Sequence, residues 1–191
     1  MAEVPRQVEE LSADPEEMPD ISIEGVFGLD EEILQQVVQM ENASFPEGMK
    51  ADQEDLKEIL DNPNGFHFLI RDSGGKIVGY LASLRQTEEY EDLKKYDPLI
   101  ENTPDSLYIE SIAIEPSKQR DKIATHALQV LRAQAVASGY KKISMHARIK
   151  SGFSEMMQKK FGARQLRKLE NWYDFGEPFD YLEMDLLKNK N

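Results

Sequence analysis

Leu107-Tyr108-Ile109-Glu110-Ser111-Ile112-Ala113-Ile114-Glu115-Pro116-Ser117-Lys118-Gln119-Arg120-Asp121-Lys122-Ile123-Ala124 is the run that decides how this chain folds. Its first eight residues are mostly apolar and β-branched, which predicts a buried strand. Pro116 closes that strand, because proline has no N–H to give a ladder. After a turn over 115–118, Ala124, Ala127, Leu128, Leu131 and Ala135 recur at helical spacing, with Gly139 as the stop signal. Residues 119–124 therefore lie at the first turn of a helix. Unpaired N–H groups and the positive end of the helix dipole make such a turn a seat for phosphate.

The unit resembles the acyl-CoA-binding core of the GNAT acetyltransferases, whose signature after such a strand is Gln/Arg-x-x-Gly-x-Gly/Ala. Gln119 matches the first position and Ala124 the last, while Lys122 stands where the family usually has glycine. The resemblance runs from about Ile21 to the C-terminus. It implies an α/β (mixed α+β) fold, with a twisted, mostly antiparallel sheet whose central strands splay, flanked by about four helices. It also implies acetyl-CoA as the acyl donor, no metal, and a primary amine as acceptor. An alternative of another class is a GNAT-fold module that binds CoA or a protein and catalyses little.

Composition narrows the partners. The chain has 191 residues, 40% hydrophobic and 31% charged, enough for one domain with a core. No apolar run approaches the roughly 20 residues that span a bilayer, and no secretory leader is visible, so a cytoplasmic protein with no membrane partner is expected. The net charge of −13 argues against nucleic acid. Met1 to Asp20 holds seven acids against Arg6, with three prolines, and reads as a flexible acidic arm ahead of a domain over 21–191. The acidic balance favours a cationic acceptor; a solvated acidic surface that serves solubility is the plainer explanation. Cysteine is absent, which excludes disulfides and a thiol nucleophile. Monomer and homodimer remain open.

In chain order the pattern predicts a strand over Ile21–Phe27, a helix opened by Asp30 with Ile33, Leu34, Val37, Val38 and Met40 inward, and a helix over 52–60. Strands over 66–71 and 77–86 form a hairpin through Gly74-Gly75. Residues 87–106 carry seven acids and two bases, and predict a short helix then a Pro98/Pro104 loop. That stretch is either a surface excursion or a lid on a site. Beyond the central helix come a strand over 142–146, a helix over 151–161 capped by Gly162, and a last antiparallel pair over 164–170 and 181–187.

Direct acetyl transfer to an amine sets four demands. The diphosphate is assigned to the amides of Arg120, Asp121, Lys122, Ile123, Ala124 and Thr125, with Gln119. Lys122 crowds the approach that glycine permits, yet its charge offsets phosphate. The resemblance implies that Ile112, Ala113 and Ile114 lie along the donor where the strand parts from its neighbour, and that Ser151 meets the pantetheine arm. The general base is expected to be Glu110, an acid in an apolar strand whose partial burial would raise its pKa; pointing to solvent or pairing with a structural Lys or Arg is the alternative. For the thiolate, the family's usual tyrosine position is Gln158, which cannot donate a usable proton, leaving Tyr173, Tyr108 or water. Phe45, Tyr108 and Tyr173 are the expected acceptor walls, although Phe45 and Tyr173 also read as plugs of the core. His67, His126 and His146 lack metal-ligand spacing and read as packed or surface residues.

Overall fold

Two aspartates set the first helices. Asp30 accepts the Ile33 N–H at 2.8 Å and starts α1 (Glu31–Ser44), and Asp52 accepts the Glu54 and Asp55 N–H groups and starts α2 (Gln53–Leu60). Each satisfies donors that have no partner inside the helix. In the computed structural model, which describes residues 20–119 and 122–187, these helices follow β1 (Ile21–Val26). The acidic arm expected over 1–20 lies almost wholly outside the described residues.

The hairpin of β2 (Phe66–Asp72) and β3 (Ile77–Arg85) forms as predicted, but its second strand stops one residue early. Gln86 opens α3 (Gln86–Tyr96) instead, with its amide held by the Glu101 carbonyl and bonded to the Tyr181 hydroxyl. Next come β4 (Ser106–Ile114), a 3-10 turn over Pro116–Lys118, α4 (Ile123–Ala137) and β5 (Lys142–Arg148). The chain closes with α5 (Phe153–Phe161), β6 (Arg164–Leu169), a second 3-10 turn over Trp172–Asp174 and β7 (Phe179–Asp185). Gly162 caps α5 at φ 66°, the left-handed region that glycine enters without strain.

The seven strands lie in the order β1-β2-β3-β4-β5-β7-β6, and every pairing but β4–β5 is antiparallel. Both faces are covered. Phe68, Ile70, Leu107 and Ile109 pack under α4 and α5, whereas Leu69, Ile77, Tyr80 and Ala113 pack under α1 and α2. That double burial explains why β3 reads as an almost unbroken apolar run rather than an alternating one. A third cluster joins Leu93 of α3 and Ile100 to Tyr108, Trp172, Phe179 and Tyr181. Residues 87–106 are therefore built into the domain at the edge of the central strands. The last strand begins two residues earlier than predicted, because Phe179 and Asp180 are drawn into the ladder beside β5 and β6.

Candidate active site

The β4–β5 ladder covers only Ser106↔Lys142, Leu107↔Ile143 and Tyr108↔Ser144, after which the two strands separate. On its other side β4 stays paired with β3 to Ile114. The Glu115 N–H donates to the Val78 carbonyl at 2.8 Å. By the alternation of an antiparallel ladder, the amides of Ala113 and Ser111 also face β3, and those of Ile112 and Ile114 turn to the open side. The incomplete ladder expected around 112–114 is present. It leaves main-chain donors along a wedge in the sheet.

A cleft of about 1090 Å³ follows that wedge, lined by Ile112, Ala113, Ile114, Gln119, Lys122, Ala124, Thr125 and Ser151, and also by Phe45, Tyr108, Glu110 and Tyr173. Sequence reasoning thus brought together residues from across the chain that do share one cavity. Ile123 is buried beneath the cradle rather than lining it. Arg120 and Asp121 lie outside the described residues.

Past the C-terminal end of β4, the first backbone bond within α4 runs from the His126 N–H to the Lys122 carbonyl. The amides of Ile123, Ala124 and Thr125 consequently have no acceptor in the helix, and among the described residues no side chain caps it. Lys122 takes φ 59°, ψ 9°, in the left-handed region. The backbone keeps the conformation that suits glycine, at a cost of about 1 kcal/mol for a residue with a Cβ. Gln119 donates to the Ile114 carbonyl at 3.2 Å, tying the turn to the strand. On the far wall, Ser151 donates to the Arg148 carbonyl and accepts from the Phe153 N–H, so it shapes the approach to α5. Gln158 donates to Ser154 Oγ at 3.0 Å, away from the cleft, while Phe153, Met156 and Lys160 present the lining face of that helix.

Glu110 sits at a register shift. Ala82 faces Ser111 and Ser83 faces Ile109, so Glu110 is the extra residue of a bulge, a device that re-aims a side chain. Its Oε1 is sealed from solvent and receives no N–H or hydroxyl donor. Its carboxyl meets that of Glu89 from α3, with Asp92 nearby. Burial first, then the Glu89 and Asp92 charges, push the Glu110 pKa well above the usual carboxylate range. Glu89 is pushed up as well, chiefly by burial and despite its hydrogen bond to Glu110. No ion pair holds Glu110 in place, so the structural alternative for this residue has no support among the described residues.

Tyr173 donates to Asp92 and stacks on Tyr96, with ring centroids 4.0 Å apart. Burial and the Asp92 carboxylate push its phenol far up, which makes it a reluctant proton donor and a firm wall. Phe45, the C-cap of α1, is half-buried and lines the same cleft. Behind it Glu41 accepts from the Tyr80 hydroxyl and, at 3.0 Å, from the Ala51 N–H, pinning the α1–α2 loop to the sheet.

His146 is the residue whose role was missed. Its side chain is wholly buried and stacked on Trp172 at 3.5 Å between centroids, and it lines the cleft. Nδ1 lies 2.8 Å from the Tyr108 hydroxyl and Nε2 lies 3.1 Å from Asp97, which Arg167 holds through both carboxylate oxygens. Burial pulls the His146 pKa down to about 4, outweighing the Asp97 carboxylate. In the neutral ring Nε2–H donates to Asp97 and Nδ1 accepts from Tyr108, so the phenol oxygen keeps its lone pairs for the cleft. Only the apolar strand around His146 was legible; Asp97 and Arg167 are 49 and 21 residues away in sequence.

Comparison with known proteins agrees with this geometry. A family model, Acetyltransferase (GNAT) family, matches residues 34–153. No curated protein matches in sequence. Solved structures match in fold. Ard1 from Thermoplasma volcanium has TM-score 0.68 at 12% identity, covering 88% of this chain and 99% of that one. The ribosomal-protein-S18-alanine N-acetyltransferase from Escherichia coli has TM-score 0.63 at 13% identity, covering 86% and 91%. NAA60 from Arabidopsis thaliana, in complex with acetyl-CoA, has TM-score 0.64 at 15% identity, covering 85% and 96%. With the sheet parted at β4–β5 and the family match spanning most of the chain, this protein belongs to the GNAT acetyltransferase family.

Proposed function

We propose that the protein is an N-acetyltransferase that moves an acetyl group from acetyl-CoA directly to a cationic primary amine, with Glu110 as general base. The observation that carries the reading is the conjunction, in one cleft, of open-side amides on β4, amides at the start of α4 that have no acceptor among the described residues, and a buried carboxyl without a basic partner.

The donor set fits the ligand. Amides of Ile123, Ala124 and Thr125, in a cleft that Lys122 also lines, suit a diphosphate. When bound, acetyl-CoA supplies the activated acetyl group. The Ile112 and Ile114 amides offer donors to an acyl oxygen, where developing negative charge strengthens such bonds. Glu110, whose raised pKa brings it closer to that of an amine, removes a proton from the incoming ammonium and returns one to the departing sulfur. Tyr108, its hydrogen turned to His146, accepts from the amine N–H and orients it. Phe45 and Tyr173 bound the acceptor. Gln158 faces Ser154, so no step is assigned to α5.

The test is to incubate the protein with acetyl-CoA and a panel of primary amines, following free thiol and product mass. Thiol release that depends on amine, with a mass gain of one acetyl group on the amine, is expected. Acetyl-CoA binding by calorimetry without turnover of any amine would leave the binding-module reading in its place.

A further inference from the structure

The cleft is electrically lopsided. Toward α4 and α5 it is lined by Lys122 and Lys160, as an anionic donor requires. At the mouth beside Glu110 it is lined by Asp55 and Glu58 on the exposed face of α2 and by Glu89 and Asp92 on α3. Asp92 is paired with Lys95. Asp55, Glu58 and Glu89 have no ion pair among the described residues, and Glu58 is close enough to Glu89 to feel its charge. Lys50, the basic residue of this wall, is engaged by Glu47.

Acids at a surface are ordinarily solvated and need no partner. Glu110 is different, because its Oε1 is sealed from water and receives no N–H or hydroxyl, while its carboxyl meets that of Glu89 in this cluster. Two carboxyls in contact, Glu110 and Glu89, hold together only around a proton or a cation. The bulge of β4 delivers Glu110 to that contact, and the built-in segment 86–106 delivers Glu89, so two separate elements create the need.

We propose that the acceptor is a free aliphatic di- or polyamine, whose reacting nitrogen lies at Glu110 while a second ammonium is held between Glu58 and Glu89 at the junction of α2 and α3. This rests on the reading of the protein as an N-acetyltransferase and names the chemistry of its acceptor. A monoamine brings one charge to a mouth with three unpaired carboxylates. A diamine satisfies both the buried pair and the outer acids, and its chain passes between Phe45 and Tyr173.

The test compares 1,4-diaminobutane and spermidine with butylamine, and with a peptide bearing an N-terminal lysine, by kcat/KM under saturating acetyl-CoA. The diamine is expected to exceed butylamine by about tenfold or more, the scale of one added charge contact in a partly buried site. Glu58→Gln should shrink that ratio at least fivefold while its melting temperature stays at the wild-type value. Equal kcat/KM for diamine and butylamine, or a preference for the peptide, would overturn the proposal and leave the acetyltransferase reading standing. If no amine is acetylated, that reading fails. Calorimetric titration of 1,4-diaminobutane into wild type and Glu58→Gln then decides the site alone: tighter binding to wild type upholds it, and no difference ends it.

Discussion

The Tyr108 hydroxyl lies 2.8 Å from Nδ1 of His146, and this bond joins β4 to β5 across the point at which their backbones separate. The last backbone pair is Tyr108↔Ser144, two residues before His146 on β5. A side-chain bond thus takes over where the ladder stops, and it is fixed from behind by Asp97 and Arg167. The opening between the two strands is bounded by a buried polar clamp.

Tyr108→Phe removes the donor from a buried ring nitrogen without changing the packing volume. It should cost about 1–2 kcal/mol of unfolding free energy. The loss of the acceptor oxygen should appear as a raised KM for the amine with little change in acetyl-CoA affinity. Urea unfolding and steady-state kinetics measure the two effects separately.

His146 gives the fold an acid limit. Its folded pKa, about 4, lies below its ordinary value of 6.5, so the unfolded chain binds the extra proton between them. Stability is therefore full above pH 6.5 and falls as the pH drops toward 4, by on the order of 3 kcal/mol from this group. In His146→Gln the slope of unfolding free energy over that window should flatten by close to one proton, whatever the absolute cost of the substitution. An unchanged slope would show that another group carries the acid sensitivity.

Glu89 and Glu110 act in the opposite sense. Their folded pKa values are raised, so the folded state holds protons that the unfolded state has lost, and stability falls as the pH rises from the ordinary carboxylate value to the folded one. Glu89→Gln removes one of the charges facing Glu110. It should raise the melting temperature at pH 7–8 and have little effect near pH 4. The ascending limb of kcat/KM against pH should move to lower pH, because Glu110 ionises more readily.

Lys122 is the clearest departure from the family signature, and its backbone angles show why glycine is favoured there. Lys122→Gly should change stability by no more than about 0.5 kcal/mol, because the relief of strain is largely offset by the extra freedom gained by the unfolded chain. Lys122→Ala keeps the strain and removes the charge. Of the two, the alanine variant isolates the ammonium's share in holding acetyl-CoA, and a several-fold weaker affinity by calorimetry is expected.

What could be read from the sequence follows the range over which each signal acts. The β4–α4 unit was legible because strand, proline turn and helix spacing are local, and Glu110 stood out as a charge in an apolar strand. The bulge that aims Glu110 has no local signature. It shows only in the offset against β3. Glu89 was hidden among acids that looked like solvent-facing surface, since nothing in residues 87–106 says that the helix packs against β4. The clamp on His146 draws on residues of four separate elements, and a lone histidine in a strand gave no hint of it. The start of β7 at Phe179 was masked by Pro178, a loop signal that does not bar a strand from beginning at the next residue.

Turnover by Glu110→Gln with bound acetyl-CoA tests the central claim most directly. With calorimetry confirming wild-type affinity for acetyl-CoA, amine-dependent thiol release should drop by about 10²-fold or more, and the ascending pH limb should vanish. Release at the wild-type rate with an unaltered pH profile would contradict the assignment of Glu110 as the group that takes the amine's proton.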